Sequence, residues 1–260
     1  MSSTPIPHPQ PTAASATAAD APPEATAGHT PPTTRTRVRR IPEFARYDTA
    51  TVHAILDAAF LCHIGFASGD SVHCIPTACW RIDGHLYIHG SNGSRMIKAL
   101  QSGAQAAVNI TLLDGLVLAR SAFNHAMNYR SVVLYGQFAP VPEADKPAAV
   151  AAFLEHILPG RQEVIRPGDA KELAATTVLR IPLDEAAAKV RTGAPEDNAE
   201  DMDWPVWAGV LPLTLVPGVP QRDPLCALEA PPHVEQWPGR RFDAPGEPAR
   251  GGDGGAPAAD

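Results

Sequence analysis

The chain has no run of 18 or more apolar residues, so no helical membrane span is predicted. It lacks the charged start and apolar h-region of a secretory signal, and no arginine precedes Arg35, which speaks against a transit peptide. Its four cysteines, Cys62, Cys74, Cys79 and Cys226, form no C-x-x-C pair and no disulfide-scaffold density. Reduced thiols and a soluble, cytoplasmic protein are the expectation. Basic residues are outnumbered, 21 Lys and Arg against 28 Asp and Glu, and the net charge of −7 argues against nucleic acid as the main partner. The cluster Arg35-Thr36-Arg37-Val38-Arg39-Arg40 is a local exception, read as a solvated or salt-bridged start of the folded part. No strand leads into a G-x-G-x-x-G turn, so a Rossmann site is not supported. Neither a G-x-S-x-G nor a paired-carboxylate signature points to hydrolysis. There is no internal repeat.

What is present divides the 260 residues into three parts. Residues 1–34 hold eight prolines among Ala, Thr and Ser, with almost no large apolar side chain. Such a segment cannot bury enough surface to offset its ordering entropy, and disorder is expected. Residues 35–216 read as one domain, and residues 217–260 as a Pro- and Gly-rich extension, largely irregular or disordered. Asp48 fits an N-cap, followed by Val52, Ile55, Leu56 and Ala59 at helical spacing. Strands are predicted over 60–66, 72–82 and 85–89, with the hairpin signal Asp83-Gly84 between the last two. A helix carrying Met96, Ile97 and Leu100 follows, closed by Gly103. Strands resume over 106–113, 116–122 and 131–139, then a helix over 143–157 stopped by Pro159-Gly160, and a strand over 176–182. Residues 189–192 extend that strand or begin another. Strands joined by short turns with helices between them favour an α+β, mainly β, barrel-like sheet with flanking helices over a doubly wound one.

The stretch richest in chemistry is His89-Gly90-Ser91-Asn92-Gly93-Ser94-Arg95-Met96-Ile97-Lys98. A strand ends, a small-residue turn follows and a helix begins, leaving backbone N–H groups without internal partners at the positive end of the dipole. A phosphate suits such an end. Gly90 and Gly93 allow close approach, Ser94 adds a hydroxyl, Arg95 can fork onto two phosphate oxygens, and Lys98 lies one turn on. An ordinary capped helix with exposed basic residues fits the same letters.

With these residues the chain resembles the pyridoxamine 5′-phosphate oxidase-related, FMN-binding split-barrel family, in particular its branch of nitroimidazole-resistance type flavin-nucleotide-binding proteins. The resemblance is carried by 72–80, Leu86-Tyr87-Ile88-His89-Gly90-Ser91, Ser94-Arg95-Met96, Leu116-Val117-Leu118-Ala119-Arg120-Ser121 and Asn128-Tyr129-Arg130-Ser131-Val132-Val133. Lys189-Val190-Arg191-Thr192-Gly193 and Pro205-Val206-Trp207-Ala208-Gly209-Val210 complete it, over roughly 37–216. It implies a split β-barrel homodimer with FMN at the subunit interface. By the same resemblance the strand bearing Ile75, Pro76, Thr77 and Ala78 runs along the isoalloxazine ring, and His89 and Gly90 flank the phosphate-ribityl chain. Arg95 matches a phosphate-binding arginine; the family's next residue is often basic, and Lys98 compensates for Met96 here. Ser131 matches a polar residue reaching the flavin from the neighbouring subunit, and Trp207 a C-terminal tryptophan near it. Arg130, Lys189 and Arg191 are candidates to stabilise negative charge on a reduced flavin, or else are salt-bridge partners. The Arg-x-His segment with which true pyridoxamine 5′-phosphate oxidases grip substrate phosphate is missing from Leu225-Cys226-Ala227-Leu228-Glu229-Ala230-Pro231-Pro232-His233, so vitamin B6 oxidation is not expected.

Cys62, His63, His73, Cys74, Cys79, His85 and His89 are dense, but their spacing matches no zinc pattern, and adjacent strand residues point to opposite faces. No metal site is expected. His125, in a loop before Asn128, is a weak catalytic candidate as proton donor, with a plain structural role as the alternative. Tyr129 either stacks on the ring or packs in the interface. The resulting expectation is an FMN-dependent oxidoreductase acting on a small molecule, with NAD(P)H, a deazaflavin or oxygen as redox partner. A flavin-storage module without turnover and a haem-binding split-barrel relative are the alternatives.

Overall fold

A computed structural model of the protein describes residues 30–239. The disorder expected of 1–29 and 240–260 lies outside the described residues. In chain order the elements are β1 (Ala45–Arg46), α1 (Thr49–Ala58), β2 (Leu61–Ser68), β3 (Ser71–Ala78), β4 (Trp80–Ile82), β5 (His85–Ser91) and α2 (Arg95–Gln101). Then follow β6 (Gln105–Leu118), β7 (Ala126–Gln137), β8 (Ala139–Pro140), α3 (Lys146–Ile157), α4 (Ala170–Ala175), β9 (Thr176–Pro182), β10 (Ala186–Arg191), β11 (Gly209–Pro212) and α5 (Pro232–Glu235). Short 3₁₀ turns fill several connections.

The strands form two antiparallel sheets. The larger runs β1-β10-β7-β6-β2-β3, with β11 added to the far half of β6; the smaller runs β4-β5-β9-β8. Local signals account for the joints. Asp48 caps α1, its carboxylate accepting from the Thr51 N–H at 2.8 Å. Asp83 takes φ 49° in the β4–β5 hairpin, a conformation that short polar side chains tolerate. Gly103 ends α2 at φ 87°.

Four predicted strands differ in the structure. The run over 72–82 breaks at the buried Cys79, so β3 belongs to the larger sheet and β4 to the smaller. The runs over 106–113 and 116–122 are one strand, because Asp114 is accommodated as a bulge between Leu113 and Gly115 while pairing with β7 continues. The strand expected from 131 already starts at Ala126.

The main core lies between the sheets. Ile64, Phe66, Val108, Ile110, Val132 and Leu134 of the larger sheet meet Leu86, Ile88, Leu179 and Ile181 of the smaller, closed by Ile55 and Leu56 of α1 and Ile97 and Leu100 of α2. The other face of the smaller sheet is also covered: Trp80, Tyr87 and Val178 pack beneath Ala149, Val150 and Phe153 of α3. Both faces of the smaller sheet are therefore largely covered, whereas the outer face of the larger sheet is not covered by any described helix.

Candidate functional site

The turn between β5 and α2 is held from one side. The Asn92 amide donates to the Ala174 carbonyl at 2.8 Å, and its Oδ1 accepts from the Thr177 hydroxyl at 2.7 Å. The Ser94 N–H donates to the Ser91 carbonyl at 2.9 Å, which closes the turn. Ser94 is the N-cap, its Oγ facing the Ile97 N–H at 3.5 Å, so its own O–H remains free to donate outward. Arg95 and Lys98 are exposed and have neither a hydrogen bond nor an ion pair among the described residues. A guanidinium and an ammonium are thus presented beside a capped helix start with no carboxylate to neutralise them. Such a donor set fits a phosphate group.

His89 and Gly90, expected side by side along the phosphate chain, point to opposite faces of β5. The His89 ring packs on the Phe153 ring at 4.6 Å and the Trp80 ring at 5.7 Å, on the α3 side. Its Nδ1 is buried without a hydrogen-bond partner among the described residues, and burial holds its pKa below the ordinary value. A neutral imidazole with its proton on Nε2 suits that setting. Gly90 faces α2: a Cβ there would stand 2.9 Å from Ile97 Cγ1. The glycine is required by helix packing, not by ligand approach alone.

Ile75, Pro76, Thr77 and Ala78 lie on β3, the last strand of the larger sheet. Ile75 packs against the core and Pro76 is exposed. An edge strand tolerates the missing N–H of proline and leaves backbone groups available to a ligand. β3 passes beside β5, so this edge borders the strand that ends in the Ser94 turn.

The second set of predicted residues lies on β7 and β10. Arg130 shares the side of Val132 and Leu134 and forks onto Asp114 through two hydrogen bonds, at 2.7 and 2.8 Å. Ser131 and Lys189 are register partners. The Ser131 hydroxyl donates to the Lys189 carbonyl at 3.4 Å, and the Lys189 ammonium to the Arg40 carbonyl at 2.9 Å. Arg191 donates to Asn128 Oδ1 at 2.5 Å, and Asn128 in turn to the Gly193 carbonyl at 3.1 Å. All three cations therefore have partners within the chain. Trp207 is 66% exposed beside β11. His125 is exposed, its Nδ1 lying 2.9 Å from the Ser121 carbonyl. Cys62 and Cys79 form a buried thiol pair, and the hydrogen bond between them, together with burial, pushes the Cys62 thiol far up. Among the described residues no group of three or more His, Cys, Asp or Glu side chains could hold a metal ion.

Two features escaped the sequence. Lys146 is a nearly fully buried lysine, signalled only by its i,i+3 spacing from Glu143; Asn92 anchors the turn across 82 residues to Ala174, which no local pattern announces.

The family described as pyridoxamine 5′-phosphate oxidase matches residues 48–190. The chain belongs to this family. The flavocytochrome Anf3 from Azotobacter vinelandii is 40% identical, over 79% of this chain and 97% of its own, with a TM-score of 0.75. An FAD and haem binding protein from Mycobacterium smegmatis is 34% identical, over 75% of this chain and 98% of its own, with a TM-score of 0.73. A Bacteroides thetaiotaomicron protein ascribed to 5-nitroimidazole antibiotic resistance is 18% identical, over 56% and 86% of the two chains, with a TM-score of 0.48. No curated protein matches. The two sheets are thus the split barrel of a flavin-binding family, as the sequence resemblance implied, and no helix among the described residues is long and apolar enough to cross a membrane.

Proposed function

We propose that the protein is a flavin-dependent oxidoreductase, a homodimer that holds the flavin phosphate at Ser94, Arg95 and Lys98 and its ring along the β3 edge. The observation that carries this reading is the pair of exposed cations, Arg95 and Lys98, unpaired among the described residues beside a free cap hydroxyl. In a protein of net charge −7 with carboxylates in excess, two such cations next to one another are suited to an anionic ligand. A bound flavin supplies hydride and electron transfer; the chain supplies position, charge and exclusion of water. FAD is the better choice over FMN, since the Mycobacterium smegmatis relative is an FAD and haem binding protein.

A second reading adds haem, as the Azotobacter vinelandii relative is described as a flavocytochrome and the Mycobacterium smegmatis relative as FAD and haem binding. His63 supports it. Its imidazole is exposed on the outer face of the larger sheet, in register with Pro76 and Asn109, and has no hydrogen bond among the described residues. A free imidazole of this kind is a suitable axial ligand.

The absorption spectrum of the protein as isolated tests both. Flavin bands that bleach on adding NAD(P)H or a reduced deazaflavin support the oxidoreductase. A Soret band lost in His63→Ala supports the second reading. Protein that neither carries nor takes up flavin would refute the proposal.

A further inference from the structure

The chain carries a basic strap that the proposed flavin site leaves unused. Residues 35–46 hold five arginines against a single carboxylate, Glu43, in a protein of net charge −7. Two of the five are engaged. Arg35 pairs with Glu185 and lies over the Tyr135 ring at 4.7 Å, and Arg46 donates to the Glu43 and Ala45 carbonyls at 2.7 Å. Arg37, Arg39 and Arg40 are exposed and have no partner among the described residues. Thr36 is buried and Val38 half-buried, so Arg37 and Arg39 stand together on the outer side of the strap. The backbone beneath them is anchored. The Val38 N–H donates to the Tyr47 hydroxyl at 2.8 Å, and the Lys189 ammonium donates to the Arg40 carbonyl at 2.9 Å. Ile41, 38% exposed, turns the chain at φ 54°. Lys189 is the register partner of Ser131, so the strap borders the outer face of the larger sheet.

We propose that this strap is the docking surface for a small acidic electron-carrier protein that reduces the bound flavin. The proposal rests on the flavin reading above. Charge selects the partner: unpaired guanidinium groups favour a carboxylate-rich surface, and arginine is enriched where proteins meet. Carboxylates are in excess over the rest of the chain, so a long polyanion or a lipid surface would meet repulsion beyond the strap, whereas a small globule touches the strap alone. Size agrees. Three free arginines around one exposed isoleucine are too few for a lasting complex, but electron-transfer encounters are weak and bury less than about 1,200 Å². Side chains on an anchored backbone also lose less freedom on docking. Position agrees as well, since the strap rims the open sheet face against which the ring is placed. The electrons balance. Two carriers each give up one electron and are oxidised, and the flavin gains both with one proton from water, ending as the anionic reduced ring.

The test mixes flavin-loaded full-length protein with a reduced plant-type ferredoxin and follows the loss of the flavin band by stopped flow. The wild-type rate is expected to fall about tenfold or more as ionic strength rises from about 0.01 M to about 0.1 M and the Debye length shrinks from about 30 Å to about 10 Å. Arg37→Glu, Arg39→Glu and Arg40→Glu combined are expected to slow the low-salt rate about tenfold or more and to remove its fall with salt. Flavin content, and reduction by illuminated deazariboflavin as a small uncharged donor, are expected to stay as in wild type. Arg37→Lys, Arg39→Lys and Arg40→Lys combined keep the charge and should retain the rate. Equal ferredoxin rates in wild type and the Glu variant, an equal loss with deazariboflavin, or flavin that deazariboflavin reduces and ferredoxin does not, would overturn the proposal but leave flavin binding intact. So would a Glu variant that reacts with ferredoxin like wild type yet no longer binds phosphatidylserine vesicles or duplex DNA, which would give the strap to a lipid surface or a nucleic acid. Protein that takes up no flavin would overturn the functional reading itself, and this proposal with it.

Discussion

Replacing Arg95 by alanine separates ligand binding from folding. Arg95 is exposed and has no partner among the described residues, so the substitution orphans no buried group. Exposed substitutions of this kind change stability by about 0.5 kcal/mol or less. The ligand term is larger. A hydrogen bond to a charged group contributes roughly 1.5–3 kcal/mol, with a two-pronged guanidinium–phosphate contact toward the upper end. At about 1.4 kcal/mol per tenfold, Arg95→Ala is expected to weaken FMN or FAD binding about 10- to 140-fold. Because the site is open to solvent, the loss shrinks as salt rises and the Debye length falls to about 8 Å at physiological ionic strength. Fluorescence titration of flavin-free protein measures it, with riboflavin as control. Riboflavin has no phosphate, so its affinity must be the same in wild type and variant. An unchanged FMN affinity, or an equal loss with riboflavin, would refute the phosphate assignment.

Gly90→Ala should lower stability by about 1–3 kcal/mol, read from thermal or urea melting, because the fully buried Ile97 cannot give way to a Cβ at 2.9 Å; Gly93→Ala, whose Cβ would meet only Ser91 Oγ at 3.7 Å, should leave stability unchanged or slightly raised. The lowered pKa of His89, caused by burial, means the folded state prefers the neutral ring: its contribution is complete above about pH 6.5 and is lost as pH falls through the lowered folded value. His89→Phe should therefore flatten the acid limb of a melting-temperature-against-pH curve, and an unaltered limb would exclude His89 as its source. The arm after β11 exposes Leu215 at 84%, Val219 at 88% and Leu225 at 95%, so Leu215→Asp, Val219→Asp and Leu225→Asp together should shift the proposed dimer toward monomer in light scattering without altering the fold. A dimer of unchanged affinity in that variant would place the subunit contact elsewhere.

Local chemistry was legible and long-range pairing was not. The Asp48 cap, the Asp83-Gly84 hairpin and the Gly103 stop depend on one or two residues each, and all three stand where the letters put them. The 176–182 strand is likewise in place. The crossing at Cys79 is invisible in the sequence because no turn signal stands at Ala78-Cys79-Trp80, where the run from 72 to 82 changes sheets. Asp114-Gly115 reads as a turn; only the continuing partner strand, with Arg130 waiting for the carboxylate, makes it a bulge. Gly90 shows the same limit at the candidate site. A glycine before a phosphate-like turn suggests room for a ligand, yet the atom that forbids a side chain there belongs to Ile97. Lys146 is the converse, since nothing in Glu143-x-x-Lys146 says that one member is buried and the other in water.

The position of the site follows from which surfaces the fold leaves open. The smaller sheet has little: Leu86 and Ile88 face the main core, while Trp80 and Tyr87 lie under α3. The larger sheet buries Ile64, Val108 and Val132 on one face, and on the other presents His63, Asn109 and Ser131 at least partly to solvent. In the proposed reading the flavin ring lies against that outer face and the free edge of β3. β5 runs beside this edge and ends where Ser94, Arg95 and Lys98 begin, so a ring on the edge and a phosphate at the helix are a short reach apart. Arg130, Lys189 and Arg191 already have partners within the chain, and their charges serve strand pairing before they serve a ligand. Arg95 and Lys98 are cations that folding leaves without partners beside the cap, and it is on that freedom that the proposed site rests.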